Sequence, residues 1–394
     1  MLERLYPAGR SCERTHRLRG TLLAALLVLL EPRIARGEDS VSYKYQNYQE
    51  DDDRIRVSSH YLLGKKSFGT DFQLKVEGLV DSISGATPTG QPPPEGSDQV
   101  PLAQLTDRRK AVIVDAANQF GPQNVALQFA HSTESDFDSF GYSLRYNRDL
   151  NEKNTTLHLG YAYTDDSIRA GYFPDWQDRD THDFLIGLSH LVNPKTVVRL
   201  NLTYSDASGF LNDPYKLVQK SIEILPGLSL PLTFPENRPD SRRKTIVYSE
   251  VTHHVEPLRG TIEGSYRFFR DNQGLQSHTL SVAWFQRIGT HFILRPYLRW
   301  YRQTEADFYV VTLDGTDILP TRVPTGVAPY YSADYRLSAF DGFTYGLKGI
   351  FTWDERVKID LTAERYEMSG RDELTSDSAY PEATILTAGL ALWF

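Results

Sequence analysis

Period-two alternation of apolar and polar side chains recurs along this chain in sixteen short segments, and no other feature constrains its fold as much. Tyr142, Leu144 and Tyr146 alternate with Ser143, Arg145 and Asn147. Leu157, Leu159, Tyr161 and Tyr163 alternate with His158, Gly160, Ala162 and Thr164. Val198, Leu200, Leu202 and Tyr204 alternate with Arg199, Asn201 and Thr203. A period of two sends one set to each face of a β-strand. The pattern predicts strands at 41–49, 54–63, 70–83, 108–119, 124–132, 138–149, 154–164 and 181–192. It continues at 196–207, 244–255, 259–270, 278–288, 292–304, 342–353, 356–369 and 384–394.

The connections fall into two classes. Tight turns are expected at 120–123, 150–153, 193–195, 256–258, 289–291 and 354–355. Longer polar or Pro-rich connections lie at 84–107, 165–180, 208–243, 305–341 and 370–383. Alternating short and long connections predict an all-β, antiparallel up-and-down transmembrane barrel of about 16 strands, with short turns in the periplasm and long loops outside. The apolar face is rich in aromatics near strand ends (Phe292, Trp300, Phe343, Trp353), as interfacial girdles require. Closure leaves no unpaired backbone in lipid.

The amino terminus reads as an export signal over 1–37, leaving 38–394 as a single barrel domain. Arg4, Arg10, Arg14, Arg17 and Arg19 precede the apolar run 21–30, and Ala35 and Gly37 offer a cut before Glu38. Ten apolar residues fall short of the roughly 20 a spanning helix needs. Cleavage takes seven basic and three acidic residues of the 43 and 51, leaving a net charge of −12. It also takes Cys12, the only cysteine, and with it disulfide, thiolate and Cys-metal chemistry. An acidic chain with no basic block does not suit nucleic acid. Amino-terminal sequencing of outer-membrane material is expected to begin at Glu38.

At the other end, Leu386, Ala388, Leu390, Leu392 and Phe394 share one face. A strand ending in Phe resembles the closing strand that bacterial outer-membrane proteins present to their insertion machinery. Phe394 is therefore the expected assembly signal. Changing it to a small polar residue should lower the folded, protease-resistant form, as heat-modifiable gel mobility would show.

The alternation also assigns a lumen. Its predicted basic members are Lys44, Arg54, Arg56, Lys75, Arg109, Arg145, Arg199, Arg267, Arg287, Arg295, Arg299, Lys348 and Lys358. Its acidic members are Glu77, Asp81, Asp115, Glu250, Glu263, Asp360 and Glu364. Either Arg–carboxylate ladders brace the wall, or an excess of positive charge draws anions inward. Arg108, Arg109 and Lys110 are expected at the mouth facing Asp81, with Asp334 and Arg336 on a long loop as further constriction candidates.

Several segments carry a resemblance beyond wall pattern: DSISGATP (81–88), DRRKA (107–111), GFLNDPYK (209–216), ENRPDSRR (236–243) and YYSADYRLSAFDGFTYGLK (330–348). They resemble domain-of-unknown-function family 3570, described as outer-membrane barrel proteins, over nearly all of the mature chain. The resemblance implies fold and location in the outer membrane of a Gram-negative bacterium. It also implies a link to exported redox chemistry, with a small lipoprotein or periplasmic redox protein as partner.

Catalytic motifs are lacking. No GxSxG elbow, phosphate-binding Gly loop or HExxH helix is present. His253 and His254 are adjacent, so a strand sends them to opposite faces. No cofactor, metal site or enzymatic activity is expected, although Glu50–Asp53 and Asp175, Asp178 and Asp180 could hold a cation loosely or bridge to lipopolysaccharide. Two classes remain: a channel or transporter for small, anionic solutes, or a non-conducting scaffold that houses or docks a partner. The partners expected in either case are outer-membrane lipid, lipopolysaccharide and the insertion machinery.

Overall fold

A computed structural model describes residues 39–354 and 356–394. The export signal and its cleavage site lie outside these residues, as does half of the 354–355 turn. The strands are β1 Ser40–Glu50, β2 Arg56–Phe68, β3 Phe72–Pro88, β4 Leu102–Phe120, β5 Gln123–Thr133, β6 Phe137–Leu150, β7 Thr155–Ile168, β8 Gln177–Asn193 and β9 Thr196–Gly209. Then come β10 Leu217–Leu225, β11 Leu228–Pro235, β12 Ser241–Val255, β13 Gly260–Asp271, β14 Gln276–Ile288, β15 Phe292–Gln303, β16 Phe340–Trp353, β17 Val357–Gly370 and β18 Glu382–Trp393.

All except β10 and β11 form one closed antiparallel barrel of 16 strands in sequence order. Closure joins β1 to β18, with Ser40 opposite Trp393 and Glu50 opposite Ala383. Each of the sixteen predicted segments became a wall strand. Several run further outward than the alternation showed: β3 reaches Pro88, β4 begins at Leu102 and β8 at Gln177. Three outer connections, at 51–55, 134–136 and 272–275, are tight, so only the other five are the long kind.

The apolar set faces outward. Leu127, Leu144, Leu200, Leu298 and Leu361 are 45–61% exposed at mid-strand, which in water would be a large liability and in lipid is the stable arrangement. Aromatics band the two ends of this belt. Phe68 and Phe72 pack 5.7 Å apart beside the inner turn. Near the outer end a Tyr–His pair recurs across neighbouring strands: Tyr43–His60 at 2.7 Å, Tyr161–His182 at 2.9 Å and Tyr266–His278 at 2.7 Å. These side chains have an apolar body and a polar tip, which suits an interface.

β10 and β11 form a separate hairpin inside 208–243, a stretch the sequence pattern assigns to a long connection. Pro231 and Pro235 hide it, since proline lacks a ladder donor and is confined to sheet edges. The outer edge of β10 is covered: Leu313 and Thr312 donate to the Gln219 carbonyl, and Ser221 donates to Asp314. The long outer connections fold together over the barrel mouth as a cap, whose apolar centres are Val218, Leu313, Tyr331 and Ala333 on one side and Val100, Tyr335, Phe340, Met368 and Tyr380 on the other.

Candidate functional site

The cap is held by a buried ionic network that three of the singled-out segments supply. Glu236 is 0% exposed and accepts from the Asp213 amide, the Ser332 hydroxyl and Arg238 Nη2, the last at 2.9 Å. Arg238 also reaches Asp334 at 2.8 Å, and its backbone N–H donates to Asn212 Oδ1 at 2.7 Å. Asp334 begins the short 3-10 helix Tyr335–Leu337, accepting from the Arg336 amide and, at 2.9 Å, from Arg336 Nε. Arg336 then pairs with Asp213, which closes the ring. Asn237 ties 325–329 to the same knot through four hydrogen bonds of 2.8–3.0 Å.

The β3–β4 connection locks onto this assembly. Lys216, 2% exposed, donates to the Pro88 carbonyl and lies 5.4 Å from the Tyr335 ring. Gly90 has φ +99°, and a Cβ there would sit 2.5 Å from the Leu217 carbonyl and 2.9 Å from that of Ala333. Only glycine fits so close an approach. From the other side, Arg54 donates to the carbonyls of Ser378 and Ala379.

Two cavities adjoin the network. The larger, about 630 Å³, runs along the cap from Glu134 and Asp136 at the β5–β6 rim to Arg267, Phe269 and Tyr301 on the inner wall. The smaller, about 280 Å³, is lined by Arg179, Arg238, Arg242, Lys244, Thr181, Ala207, Leu211 and Gln273. Register explains the cluster. Thr181, Ala207 and Arg242 lie side by side on β8, β9 and β12, and the small Ala207 leaves the space between them. Arg179 and Arg242 are fixed from behind by Asp166 and Asp271, each at 2.7 Å, whereas Lys244 makes no ion pair among the described residues. Four cations thus line a pocket to which no carboxylate contributes.

The predicted site residues separate into three groups. Inward-facing wall residues pair as ladders: Arg145 with Asp115, Arg199 with Glu250 at 3.1 Å, and Arg295 with Glu263 at 3.5 Å. Arg299 faces inward with no carboxylate partner among the described residues, 5.9 Å from the Tyr301 ring, and Arg267 lies 5.6 Å from that of Phe269. Asp334 and Arg336 belong to the cap network rather than to the wall. On β4 the prediction of a basic mouth needs correction. Arg109 faces inward and pairs with Asp81, but strand alternation turns the exposed Arg108 and Lys110 outward. Arg56 likewise faces outward, bonded to Asn47, and Arg54 lies in the β1–β2 turn. His253 and His254 bond different strands, to Thr196 and Thr261.

Arg179 and Lys244 escaped the sequence reading, and Glu236, Arg238 and Arg242 entered it only as part of the segment 236–243. Lys244 has the same parity as the predicted lumen residue Glu250, so the signal was present. Arg179 lies beyond the predicted strand end. Three carboxylates, Asp107, Glu134 and Asp136, also come within 4.8 Å of one another at the rim, where burial raises the Glu134 carboxyl above its ordinary value.

The stability of the network resists mild acid. Burial pushes the Glu236 carboxyl up against the pull of Arg238. Burial would raise Asp334 too, but Arg336, Arg238 and Lys216 together hold it well below the ordinary carboxylate range. A raised carboxyl favours the folded cap as pH falls through its own value, whereas the stabilisation from a depressed one disappears only as pH falls through that depressed value. Amide exchange in 330–337, corrected for intrinsic rates, is therefore expected to stay protected from pH 7 down to about 5. Loss of protection in that window would show that another group controls the cap.

The family model described as "Protein of unknown function (DUF3570)" matches residues 21–385. The chain belongs to this family. No curated protein matches it. Among solved structures it is similar in fold to CdiB from Acinetobacter baumannii, at 7% identity over 90% of this chain and 60% of that one, with a TM-score of 0.50. A bacterial polysaccharide outer membrane secretin matches at 6% identity over 91% and 99%, TM-score 0.49. The siderophore receptor PirA from Pseudomonas aeruginosa matches at 11% identity over 91% and 62%, TM-score 0.45. The chain thus spans about 62% of the length of PirA. Family membership, barrel closure and the outward apolar belt make this protein a β-barrel of the bacterial outer membrane.

Proposed function

We propose that the barrel binds and passes small anionic solutes, performing no chemistry on them, and that the cap controls access from outside. The observation that carries this reading is the pocket of Arg179, Arg238, Arg242 and Lys244. Fixed cations in a walled cavity concentrate the field and favour anions. Below it, Arg267 and Arg299 extend the track and, like Lys244 but unlike the three pocket arginines, have no carboxylate partner among the described residues, while the Arg–carboxylate ladders brace the rest of the wall.

Bilayer recordings test this. Reversal potentials in a salt gradient should show anion preference that weakens as salt screens the wall. Lys244→Gln with Arg299→Gln should reduce that preference without loss of folding, because neither change strands a carboxylate. Cation selectivity would overturn the reading. A second reading, a barrel that docks a partner lipoprotein or redox carrier, draws on the exposed apolar residues Ile224, Leu225, Leu228 and Leu230 of the outer hairpin. A folded barrel with no conductance, co-purifying with a second polypeptide, would favour it.

A further inference from the structure

The outward face of β2–β4 changes character at its outer end. Arg56, Arg108 and Lys110 point away from the lumen and are exposed. Register sets Ser82 between Ser58 and Arg108, Ser84 between Arg56 and Thr106, and Val80 between His60 and Lys110. The Arg108 and Lys110 side chains make no ion pair or hydrogen bond with any described residue, and Arg56 bonds only Asn47 Oδ1, at 3.1 Å. Three cations therefore stand among hydroxyls, and the strand between them offers no outward carboxylate.

Their height is set by the strand itself. Below Lys110 the outward residues of β4 are Val112, Val114, Ala116, Asn118 and the inner-end aromatic Phe120. Ten residues at about 3.4 Å each, tilted by about 40°, lift Lys110 about 26 Å above Phe120, the height of the apolar band itself, about 25 Å. Arg108 sits about 5 Å higher on the same face. The same arithmetic puts Arg56 about 31 Å above Phe68 on β2. All three thus meet the headgroup layer of the outer leaflet.

Most other sectors differ at this level. Arg302 is taken by Asp341 and Arg365 by Asp51 and Glu382, and of the outward pair Arg243 and Arg270 on β12 and β13 the first stands opposite Asp206. The outward faces of β6–β9 present Asp138, Asp165, Asp180 and Asp206 instead. On one side of the barrel the rim therefore favours anionic headgroups, and on another it repels them.

We propose that this face of β2–β4 is a binding site for a phosphorylated glycolipid of the outer leaflet. Arg56, Arg108 and Lys110 hold its phosphates, the Ser58, Ser82, Ser84 and Thr106 hydroxyls donate to them, and the acyl chains lie down the apolar belt past Leu62 and Val112. Arg108 and Lys110 are about 7 Å apart, and Arg56 lies two strands away, about 10 Å across the sheet, so the site suits a headgroup with two phosphates. The site is independent of the lumen.

The test uses the folded full barrel in detergent, with bisphosphorylated lipid A, its dephosphorylated form and inorganic phosphate as probes. Native mass spectrometry or a fluorescent-lipid titration reads binding. The R56Q/R108Q/K110Q variant should bind bisphosphorylated lipid A about tenfold or more weakly, with unchanged heat-modifiable mobility. Wild type should bind dephosphorylated lipid no better than the variant does, and millimolar phosphate should not displace the lipid. Equal affinity of wild type and variant would overturn the proposal, as would displacement by inorganic phosphate. It would also fail if R243Q/R270Q, which removes outward charge on β12 and β13, lowered affinity as much.

Discussion

Replacing Arg238 with alanine is expected to loosen the loop cap more than any other single change to it. Arg238 answers two carboxylates, Glu236 and Asp334, that are 0% and 1% exposed. Its removal leaves Glu236 without a cation and Asp334 with Arg336 as its remaining direct partner. Breaking a buried ion pair by deleting one member costs about 3–5 kcal/mol, because the stranded charge can neither leave nor find water. The wall should be spared, since its ladders and closure do not pass through Arg238. Limited proteolysis should then cut within 208–243 and 305–341 while the barrel keeps its heat-modifiable mobility. Conductance should rise if the cap governs access. Glu236→Gln should do less, because its one carbonyl oxygen still accepts from the Asp213 amide, the Ser332 hydroxyl can turn to accept from its NH2 group, and a burden of charge is removed. Unchanged protease resistance in the alanine variant would mean that the apolar centres alone hold the cap.

Placing arginine at Leu144 is expected to cost about 2–4 kcal/mol of barrel stability, as a charge on the lipid face near the midplane does. Leu144 lies midway along β6, 45% exposed, with Tyr142 and Tyr146 flanking it on the same face. One residue away, Ser143 faces the lumen beside Gln128 and Ala162, and arginine there should cost little because it can reach water and the neighbouring wall charges. The contrast between adjacent positions is the sharpest test of register, since a one-residue slip would exchange the two outcomes. Unfolding titrations in lipid vesicles measure both. Equal costs would show that β6 does not separate lipid from lumen.

The alternation that located β6 also set Arg145 and Asp115 on the lumen side, because each lay on the polar face of its strand, and the structure joined them as a pair. It failed on Arg108 and Lys110, where three consecutive basic residues invited a single assignment although a strand must split them. It also stopped short of Arg179. Beyond the headgroups a strand has water on its outer side, so the apolar half of the pattern fades while the ladder continues. Asp165, Asp178 and Asp180 replace the leucines there, and a reader of hydropathy sees a loop. The hairpin of β10 and β11 was hidden by its own prolines for a related reason, since an edge tolerates them and a wall does not.

Strand number, order, closure and lipid-facing side were settled by the chain itself. Every wall strand must satisfy one local condition, apolar toward lipid and polar toward water, and a period of two records that condition directly. The resemblance of 209–216, 236–243 and 330–348 to one family marked those segments as more than wall, but said nothing of what they share. Only the tertiary structure brought Asp213, Glu236, Arg238, Asp334 and Arg336 into one ring, and set Arg179, Arg242 and Lys244 around a common space. Those contacts join residues that loops carry across as many as 123 positions of sequence. Their stability comes from exclusion of water by the assembled cap, and no local pattern encodes a burial that exists only once all the loops have met.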